Sequence, residues 1–348
     1  MAINQRQVIK KKRRRRRILL WILVPLLVLG TGIGLYATYL VNKAASAAQT
    51  SQEGLERGDK SEKREQAVNP KHDNISILFM GVDDSQKREM GNATRTDALI
   101  LATLNEKEKS IKMVSIPRDS LVYIPSMDKE DKINHAYYRG TESTIQTVEE
   151  LFDIPVDYFV KMNFEAFIDV VEALDGIYVD VPITFSEMDS RDRKNAIQLE
   201  EGFQLLNGEE ALALARTRKL DSDIERGKRQ QIIMKSIISR AASLQSLSKY
   251  GNVIDALGDN ITTNFKFGEL IALHDYAISG ERLGIESFHL KGSDLWTPTY
   301  YYQLDQESVQ EISATLQEHL RLGVYGERND SSLVNNTDVA ADTETETP

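Results

Sequence analysis

Apolar positions divide the 348-residue chain into one long uncharged stretch near its start and a series of short apolar runs after it. Short continuous runs predict buried strands, and apolar positions that recur with the helical period predict helices. Strands are predicted at 75–80, 98–104, 111–116, 158–162, 177–181 and 285–290, and helices at 141–152, 164–174, 208–215, 224–247, 267–279 and 306–320. This interleaving predicts a mixed α/β domain, with a central sheet covered by helices in α–β–α layers.

The uncharged stretch Ile18–Val41 has 24 residues, which exceeds the about 20 that a helix needs to cross a bilayer core. Residues 1–17 hold nine basic residues and no acid, which predicts a cytoplasmic N-terminus and an extracytoplasmic domain. A cleaved signal peptide is the alternative, because Ala45-Ser46-Ala47 has the form of a cleavage site. The apolar stretch is long for a signal peptide, so an uncleaved anchor is preferred.

The predicted organisation has five segments, of which only one is a folded globular domain. The segment before the domain is polar and without periodicity, and the last segment holds five acids and no base, which predicts a tether and a disordered tail. The segments are a cytoplasmic basic segment at 1–17, a transmembrane helix at 18–41, an extracytoplasmic tether at 42–72, the domain at 73–328 and the acidic tail at 329–348.

The formal net charge of −10 averages two unlike parts of the chain. Residues from 42 onward carry 34 basic and 53 acidic groups, a net charge of −19. A nucleic acid would be repelled by such a domain, so the basic N-terminal run is interpreted as a topology signal beside anionic lipid. The absence of cysteine excludes thiol nucleophiles and thiolate metal sites, and no Walker A or GxGxxG loop is present.

Charged residues that could carry chemistry gather in four short clusters. Three adjoin predicted strand ends, at 81–84, 95–97 and 115–119, and the fourth, at 216–230, joins two predicted helices. A pair of carboxylates can hold a hard divalent cation together with phosphate oxygens, and guanidinium groups bind phosphate in a bidentate way. If these clusters converge in one pocket, their chemistry suits a pyrophosphate with Mg²⁺.

Spacing within the fourth cluster limits which side chains can act together. Arg226 and Gln230 are four residues apart and share a helix face, with Asp223 at the position that caps the helix. Arg216 and Arg218 cannot share a helix face, so at least one of them lies past the helix end. The same arginines could instead form a solvated helix surface, and the capping role of Asp223 needs no ligand.

Structural alternatives also hold for the strand-end clusters. Asp83 and Asp97 could be turn residues, and Arg118 with Asp119 could be a local ion pair. His135 is interpreted as structural, because no Ser/His/Asp spacing accompanies it.

Seven stretches taken in order resemble the LytR–CpsA–Psr (LCP) family. They extend over roughly residues 75–245, most of the predicted domain, and the single spanning helix with its basic cytoplasmic end also matches. The stretches are ILFMGVDD (77–84), RTDALILATL (95–104), IKMVSIPRDSLVYIP (111–125), KINHAYYRG (132–140), ALDGIYVDVP (173–182), GFQLLNGEEALALARTRK (202–219) and DIERGKRQQ (223–231).

The resemblance implies a membrane-anchored phosphotransferase. The family moves a glycopolymer, such as teichoic acid, capsule or another wall polysaccharide, from a polyprenyl-pyrophosphate carrier to the 6-hydroxyl of N-acetylmuramic acid in peptidoglycan. It also implies an apolar cavity for the prenyl chain between sheet and helices. Helices at 164–174 and 232–244 are candidate cavity walls, and ordinary core is the alternative for each of their residues.

Site roles follow from the resemblance by matching positions. Asp83 and Asp97 would ligate the metal, Mg²⁺ or alternatively Mn²⁺, and with Arg118 they form the implied catalytic set. Arg229 is a weaker candidate, and Glu225 departs from the glycine that members often have there. The implied pyrophosphate-binding residues are Arg95, Arg118, Arg216, Arg218, Asp223, Arg226 and Gln230.

Two other functions stay open at the level of sequence. One is a lipid pyrophosphatase that uses water as its acceptor, which would need the same acids and arginines. The other is a non-enzymatic membrane regulator or scaffold of the cell envelope, whose function would not depend on Asp97 or Arg118.

Overall fold

A computed structural model of the chain describes residues 52–82, 95–217, 223–243, 261–266, 268–270, 272–273 and 283–322. The predicted cytoplasmic segment, membrane helix and acidic tail lie outside these ranges. Within these ranges, no helix has the length and apolar character that crossing a bilayer requires.

Strands and helices alternate along the described chain. The strands are β1 Ile75–Val82, β2 Thr96–Asn105, β3 Ser110–Ser115, β4 Leu121–Ile124, β5 Lys129–Lys132, β6 Tyr158–Met162, β7 Ile177–Val181, β8 Phe185–Glu187, β9 Ile197–Leu199, β10 Gly202–Leu206, β11 Ile261–Thr263, β12 Gly284–His289, β13 Gly292–Trp296 and β14 Tyr300–Leu304. The helices are α1 Thr141–Phe152, α2 Phe164–Ala173, α3 Gly208–Arg216, α4 Asp223–Ala242 and α5 Gln306–Leu320, with 3-10 turns at Pro125–Met127 and Ile133–Arg139.

The longer predicted elements are confirmed to within two residues at each end that the structure describes. The short hairpins β4–β5, β8–β9 and β13–β14 were not predicted, because strands such as Lys129–Lys132 contain no apolar run. Of the helix predicted at 267–279, residues 268–270 and 272–273 are helical and the others lie outside the described ranges. The exception is the helix predicted at 224–247, which ends at Ala242 and is followed by a turn at Ser243; residues 244–247 lie outside the described ranges.

Local capping explains where several helices begin. Asn163 accepts a hydrogen bond from the Ala166 backbone N–H at 2.8 Å and starts α2. Asn207 and Glu210 form a reciprocal capping box at the start of α3. These side chains accept hydrogen bonds from backbone N–H groups that have no partner within the helix. They therefore stabilise each helix at this starting point.

The central sheet has six strands in the order β11-β6-β1-β2-β3-β12. The chain passes antiparallel from β1 to β2 and from β2 to β3, while β6 and β12 add in parallel beside β1 and β3. This meander brings the end of β1, the start of β2 and the end of β3 to one edge of the sheet. The three strand-end clusters of the sequence therefore adjoin the same edge.

Helices cover both faces of the sheet, as predicted. Leu78 and Leu101 pack with α1 and α5 on one face. Ile100 and Met113, which point to the other face, form a second cluster with Met234 of α4. The α–β–α layering is confirmed, and on the α4 side the β7–β10 ribbon packs against α2, α3 and α4 to form a third apolar cluster.

Residues 52–74, most of which were predicted to be a tether, pack against the domain. Gln52 forms a β-bridge with Thr263, and Arg57 Nη1 contacts Glu149 Oε2 at 2.8 Å. The Arg64 guanidinium contacts Asp157 at 2.7 Å, with both side chains only 3% exposed. The polar composition that indicated a tether reflects ion pairs with distant parts of the chain, so the prediction of a tether extending to residue 72 was wrong.

Candidate functional site

A cleft opens between the α4 face of the sheet and the three helices α2, α3 and α4. It encloses about 840 Å³ of empty space, including the open volume at its mouth. The lining residues are mostly apolar and come from every surrounding element: Phe79, Met80, Gly81, Asp97, Ala98, Ile100, Met162, Asn163, Phe164, Phe167, Leu212, Ala215, Arg216, Arg226, Gln230, Ile233, Met234 and Ile237. Both helices predicted as cavity walls, α2 and α4, contribute to it.

The polar lining residues lie at one end of the cleft. Asp97 is at the start of β2, Arg216 ends α3, and Arg226 and Gln230 occupy the first turns of α4. The apolar residues of α4, such as Ile237, follow them along the helix and continue the wall inward. The cleft is thus an apolar slot with a charged mouth, and the predicted common face of Arg226 and Gln230 is confirmed.

An ion pair between two of the predicted site residues stands at the mouth. Arg118 Nη1 donates to Asp97 Oδ1 at 2.7 Å, and both side chains are partly exposed. Arg118 Nε also lies 3.4 Å from Asp119 Oδ2, and Lys132 Nζ donates to Asp119 Oδ1 at 2.7 Å. Arg118 and Asp119 do form the local contact considered from the sequence, but Arg118 also reaches the carboxylate that lines the cleft.

The start of α4 lies unusually close to the end of β3. A Cβ atom added to Gly227 would lie 2.7 Å from Ser115 Oγ and 3.3 Å from Ser115 Cβ, so a larger residue would require the serine side chain to turn away or the helix to shift. This close packing places Arg226, which is 95% buried, at the cleft. The glycine of the DIERGKRQQ stretch therefore has a steric role in forming the mouth.

Two residues of α4 hold the end of α3. Gln230 Nε2 donates to the Ala215 carbonyl at 3.3 Å, and Arg229 Nη2 donates to the Thr217 carbonyl at 3.0 Å. These bonds fix the backbone on either side of Arg216. Gln230 thus combines a place in the lining with a contact that fixes the backbone beside Arg216, and the buried Arg229 serves the architecture of the mouth.

Arg216 is positioned by its surroundings on α2 and on the loop before β9. Its guanidinium carbon lies 5.8 Å from the centroid of the Phe164 ring, and Nη2 lies 3.6 Å from Asp192 Oδ1. Glu225, the departure from the family pattern, contacts Lys228 at 2.5 Å with its side chain 44% exposed. Because it faces solvent and is not among the lining residues, its charge does not enter the cleft.

Arg95 lies at the rim of the mouth, outside the lining. Its Nε donates to the Tyr138 hydroxyl, and its guanidinium carbon lies 5.5 Å from the centre of that ring. His135 stacks on the same Tyr138 ring, with ring centroids 5.0 Å apart, and its Nδ1 lies 2.9 Å from Asp131 Oδ1. Burial lowers the pKa of His135, against the opposing effect of Asp131, which agrees with a structural role.

Three predicted site residues cannot be placed by their side chains. Asp83 and Arg218 lie outside the described ranges, and α4 begins at Asp223, whose side chain also lies outside them. Sequence reasoning missed Asn163, which lines the cleft, and Tyr138, which holds Arg95. Their signals were the helix-capping position of the asparagine and the aromatic residues of KINHAYYRG.

As far as the structure describes it, the mouth offers few oxygen ligands for a divalent cation. In the described parts of the chain, no group of three or more acidic or histidine side chains could hold a metal alone. Mg²⁺ in proteins commonly uses one or two carboxylates and completes its shell with water and substrate phosphate. Asp97, a carboxylate beside a cluster of guanidiniums at the cleft mouth, fits that pattern.

The fold and cleft define an α/β protein with a slot suited to an amphiphile that has an apolar chain and an anionic head. The model of the LytR_cpsA_psr family matches residues 38–318, and the chain belongs to this family.

Relatives and solved structures of this family match over most of their length. The chain is 40% identical to the polyisoprenyl-teichoic acid–peptidoglycan teichoic acid transferase TagT of Bacillus subtilis (strain 168), over 86% of this chain and 92% of the relative. The TagU transferase of the same strain is also 40% identical, over 86% and 94%. The structure of TagT bound to LIIa-WTA has a TM-score of 0.66 at 38% identity, over 77% of this chain and 99% of that chain.

A further TagT structure contains a bound octaprenyl pyrophosphate lipid. It matches with a TM-score of 0.61 at 36% identity, over 77% of this chain and 99% of the other. The central sheet and mixed α/β fold are thus those of solved structures in the family.

Proposed function

We propose that this protein transfers an anionic glycopolymer from a polyprenyl-pyrophosphate carrier to the 6-hydroxyl of N-acetylmuramic acid in peptidoglycan, while anchored to the outer face of the cell membrane by the predicted helix at 18–41. The observation that carries this proposal is the apolar cleft whose mouth brings together Asp97, Arg216, Arg226 and Gln230. The names of the relatives support the transfer reaction. The polymer itself would be teichoic acid or another wall polysaccharide.

The carrier lipid would occupy the cleft with its prenyl chain. The slot is lined by large apolar side chains such as Phe167 and Ile237, so a chain entering it leaves water and gains hydrophobic stabilisation. The pyrophosphate would then stop at the mouth, where guanidiniums can bind its oxygens through paired hydrogen bonds. The start of α4 adds backbone N–H groups, which also favour an anion.

The predicted reaction is a direct displacement at phosphorus. The muramyl 6-hydroxyl oxygen attacks the phosphorus that bears the glycopolymer, a new P–O bond forms, and the bond to the prenyl phosphate breaks. The hydroxyl proton passes to a base, for which Asp83 and Asp97 are both candidates, and prenyl phosphate leaves with the electron pair. Arg226 and Arg216 would stabilise the charge that grows on the leaving oxygens.

A Mg²⁺ ion, with Mn²⁺ as the alternative, would be held by Asp97 together with Asp83. When bound, such an ion neutralises pyrophosphate charge. Arg118 holds the Asp97 carboxylate in place for this role through their 2.7 Å contact.

A reconstituted transfer assay tests the proposal. Purified protein receives polyprenyl-pyrophosphate-linked oligosaccharide with and without uncrosslinked peptidoglycan, and both the released prenyl phosphate and the sugar–wall linkage are measured. A transferase forms the linkage only when peptidoglycan is present. Equal release of prenyl phosphate in both reactions without a linkage would identify a pyrophosphatase. No release in either reaction would favour the regulator.

The cleft offers a matched pair of substitutions on one helix. Ile237 of α4 lines the cleft, whereas Ile232 of the same helix is exposed and is not among the lining residues. Ile237→Trp should fill the slot and raise the Kd for octaprenyl pyrophosphate about tenfold or more, which corresponds to about 1.4 kcal/mol. Ile232→Trp should leave this Kd unchanged, as measured by titration calorimetry.

Inorganic pyrophosphate serves as the control ligand for these variants. Its binding should be the same in both, because it needs only the mouth. An Ile237→Trp protein that binds the lipid as tightly as the wild type would contradict the placement of the prenyl chain.

A further inference from the structure

The β13–β14 hairpin exposes a large aromatic surface that the proposed donor site does not use. Trp296 is 75% exposed, and its ring centroid lies 5.1 Å from that of Tyr300, the residue paired with it across the hairpin. Large aromatic side chains normally bury most of their surface when a protein folds, so exposed rings connected to a substrate site are candidates for ligand contact. We call Trp296, Tyr300, Tyr301 and Lys132 the hairpin surface.

The hairpin is held firmly against the domain. The Tyr302 backbone N–H donates to the Asp119 carbonyl at 2.9 Å, and Tyr302 forms a β-bridge with Ser120. Tyr302 and Leu304 are buried in the main apolar cluster of the sheet. Trp296 is therefore presented on a fixed support.

An unbroken series of contacts leads from the hairpin surface to the cleft mouth. Lys132 Nζ lies 5.7 Å from the ring centroids of both Tyr300 and Tyr301, within cation–π range. The same Nζ donates to Asp119 at 2.7 Å, Asp119 contacts Arg118 at 3.4 Å, and Arg118 contacts Asp97 at 2.7 Å. A ligand lying on the hairpin surface would thus extend toward the place where the donor phosphate is proposed to sit.

The chemistry of this surface favours a neutral or weakly charged glycan. The flat ring faces of Trp296 and Tyr300 can stack on the C–H faces of pyranose rings, and the polar groups beside them can bond hydroxyl and N-acetyl groups. Asp294, whose Oδ1 accepts from the Tyr300 hydroxyl at 2.9 Å, adds an acid that would repel an anionic polymer or an anionic lipid surface.

We propose that the hairpin surface binds the acceptor, the β-linked N-acetylated amino-sugar strand of peptidoglycan, and guides it toward Asp97 and Arg118. This inference rests on the proposed transferase function, because it assigns the second substrate of that reaction. Trp296 and Tyr300 would hold sugar rings outside the reacting unit, and Lys132 would join the aromatic rings to the mouth.

Fluorescence provides a direct binding test on the full chain. The sequence holds two tryptophans, Trp21 and Trp296, so Trp21→Phe leaves Trp296 as the only indole. Soluble uncrosslinked glycan strands from purified peptidoglycan should give a saturable blue shift of its emission. Poly(glycerol phosphate) and phosphatidylglycerol vesicles, the probes for donor polymer and membrane, should not. No saturable shift with glycan, or a shift only with either control probe, would overturn the proposal.

Kinetics test the same surface in the transfer reaction. Trp296→Ala should raise the KM for the glycan acceptor about tenfold, while kcat and the Kd for octaprenyl pyrophosphate stay within about twofold of wild type. Trp296→Tyr should restore most of the loss. The matched control is Phe203→Ala, which removes an equally exposed ring, 72%, from the β7–β10 ribbon that packs against α2, α3 and α4. This variant should leave the acceptor KM, kcat and the Kd for octaprenyl pyrophosphate unchanged.

The two levels of the hypothesis fail differently. If the transferase function is wrong, no linkage forms with any variant, and the fluorescence titration still reports whether glycan binds at Trp296. If only the hairpin assignment is wrong, Trp296→Ala transfers polymer with an unchanged acceptor KM.

Discussion

Replacing Asp97 by asparagine is expected to lower kcat for polymer transfer by a factor of about 10² to 10³. Asp97 lines the cleft mouth and accepts a 2.7 Å hydrogen bond from Arg118. The amide keeps the shape of the side chain but removes the charge that Arg118 and a divalent cation would both use. The variant should also need a higher Mg²⁺ concentration for half-maximal activity. Initial rates measured with synthetic donor and peptidoglycan over a Mg²⁺ series would check both effects.

Arg118→Ala should cause a loss of similar size, because it removes the guanidinium that donates to Asp97 at 2.7 Å and helps to hold the carboxylate at the mouth. Glu225→Gln is the matched control. It alters a carboxylate near the same end of α4, but that carboxylate forms an exposed contact with Lys228, so its removal should change the rate by less than about twofold. An Asp97→Asn protein that keeps more than about a tenth of wild-type activity would exclude a central role for this carboxylate.

Replacing Arg64 by alanine is expected to destabilise the folded domain by about 3 to 5 kcal/mol. Arg64 and Asp157 contact at 2.7 Å with 3% of each side chain exposed. Asp157 also accepts hydrogen bonds from the Ser76 backbone N–H at 2.9 Å and its hydroxyl at 3.0 Å. Without the guanidinium, the carboxylate stays buried and keeps, among the described residues, only the hydrogen bonds from Ser76. Denaturant unfolding of the full chain, followed by circular dichroism, would measure the loss.

The control for this prediction is an exposed ion pair that the same segment makes through Asp59. Lys266 Nζ contacts Asp59 Oδ2 at 2.6 Å, but both side chains are largely exposed, so Lys266→Ala should cost less than about 1 kcal/mol. The double variant Arg64→Met with Asp157→Leu should recover much of the stability, since no buried charge remains. If Arg64→Ala unfolds within about 1 kcal/mol of wild type, residues 52–74 are not an integral part of the fold.

The candidate site was predictable as a set of residue types, and only partly as an arrangement. Arg226 and Gln230 share a face because four residues make about one helical turn, so their common place in the cleft could be expected. The 2.7 Å contact of Arg118 with Asp97 spans 21 residues and depends on the antiparallel pairing of β2 with β3. The orienting role of Arg229 was equally out of reach, because it depends on where α3 ends relative to α4.

The sequence by itself determined the longer elements and most of their boundaries, since periodicity and capping act over a few residues. Helix Thr141–Phe152 and strand Tyr158–Met162 begin and end where their apolar patterns do. It also determined the family, through short motifs kept in order. Only the tertiary structure decided the strand order, the incorporation of residues 52–74 and the meeting of charges at one mouth. Each of these depends on free energies between residues far apart in the chain, such as Arg64 and Asp157, 93 positions apart, and no local pattern encodes such a contact.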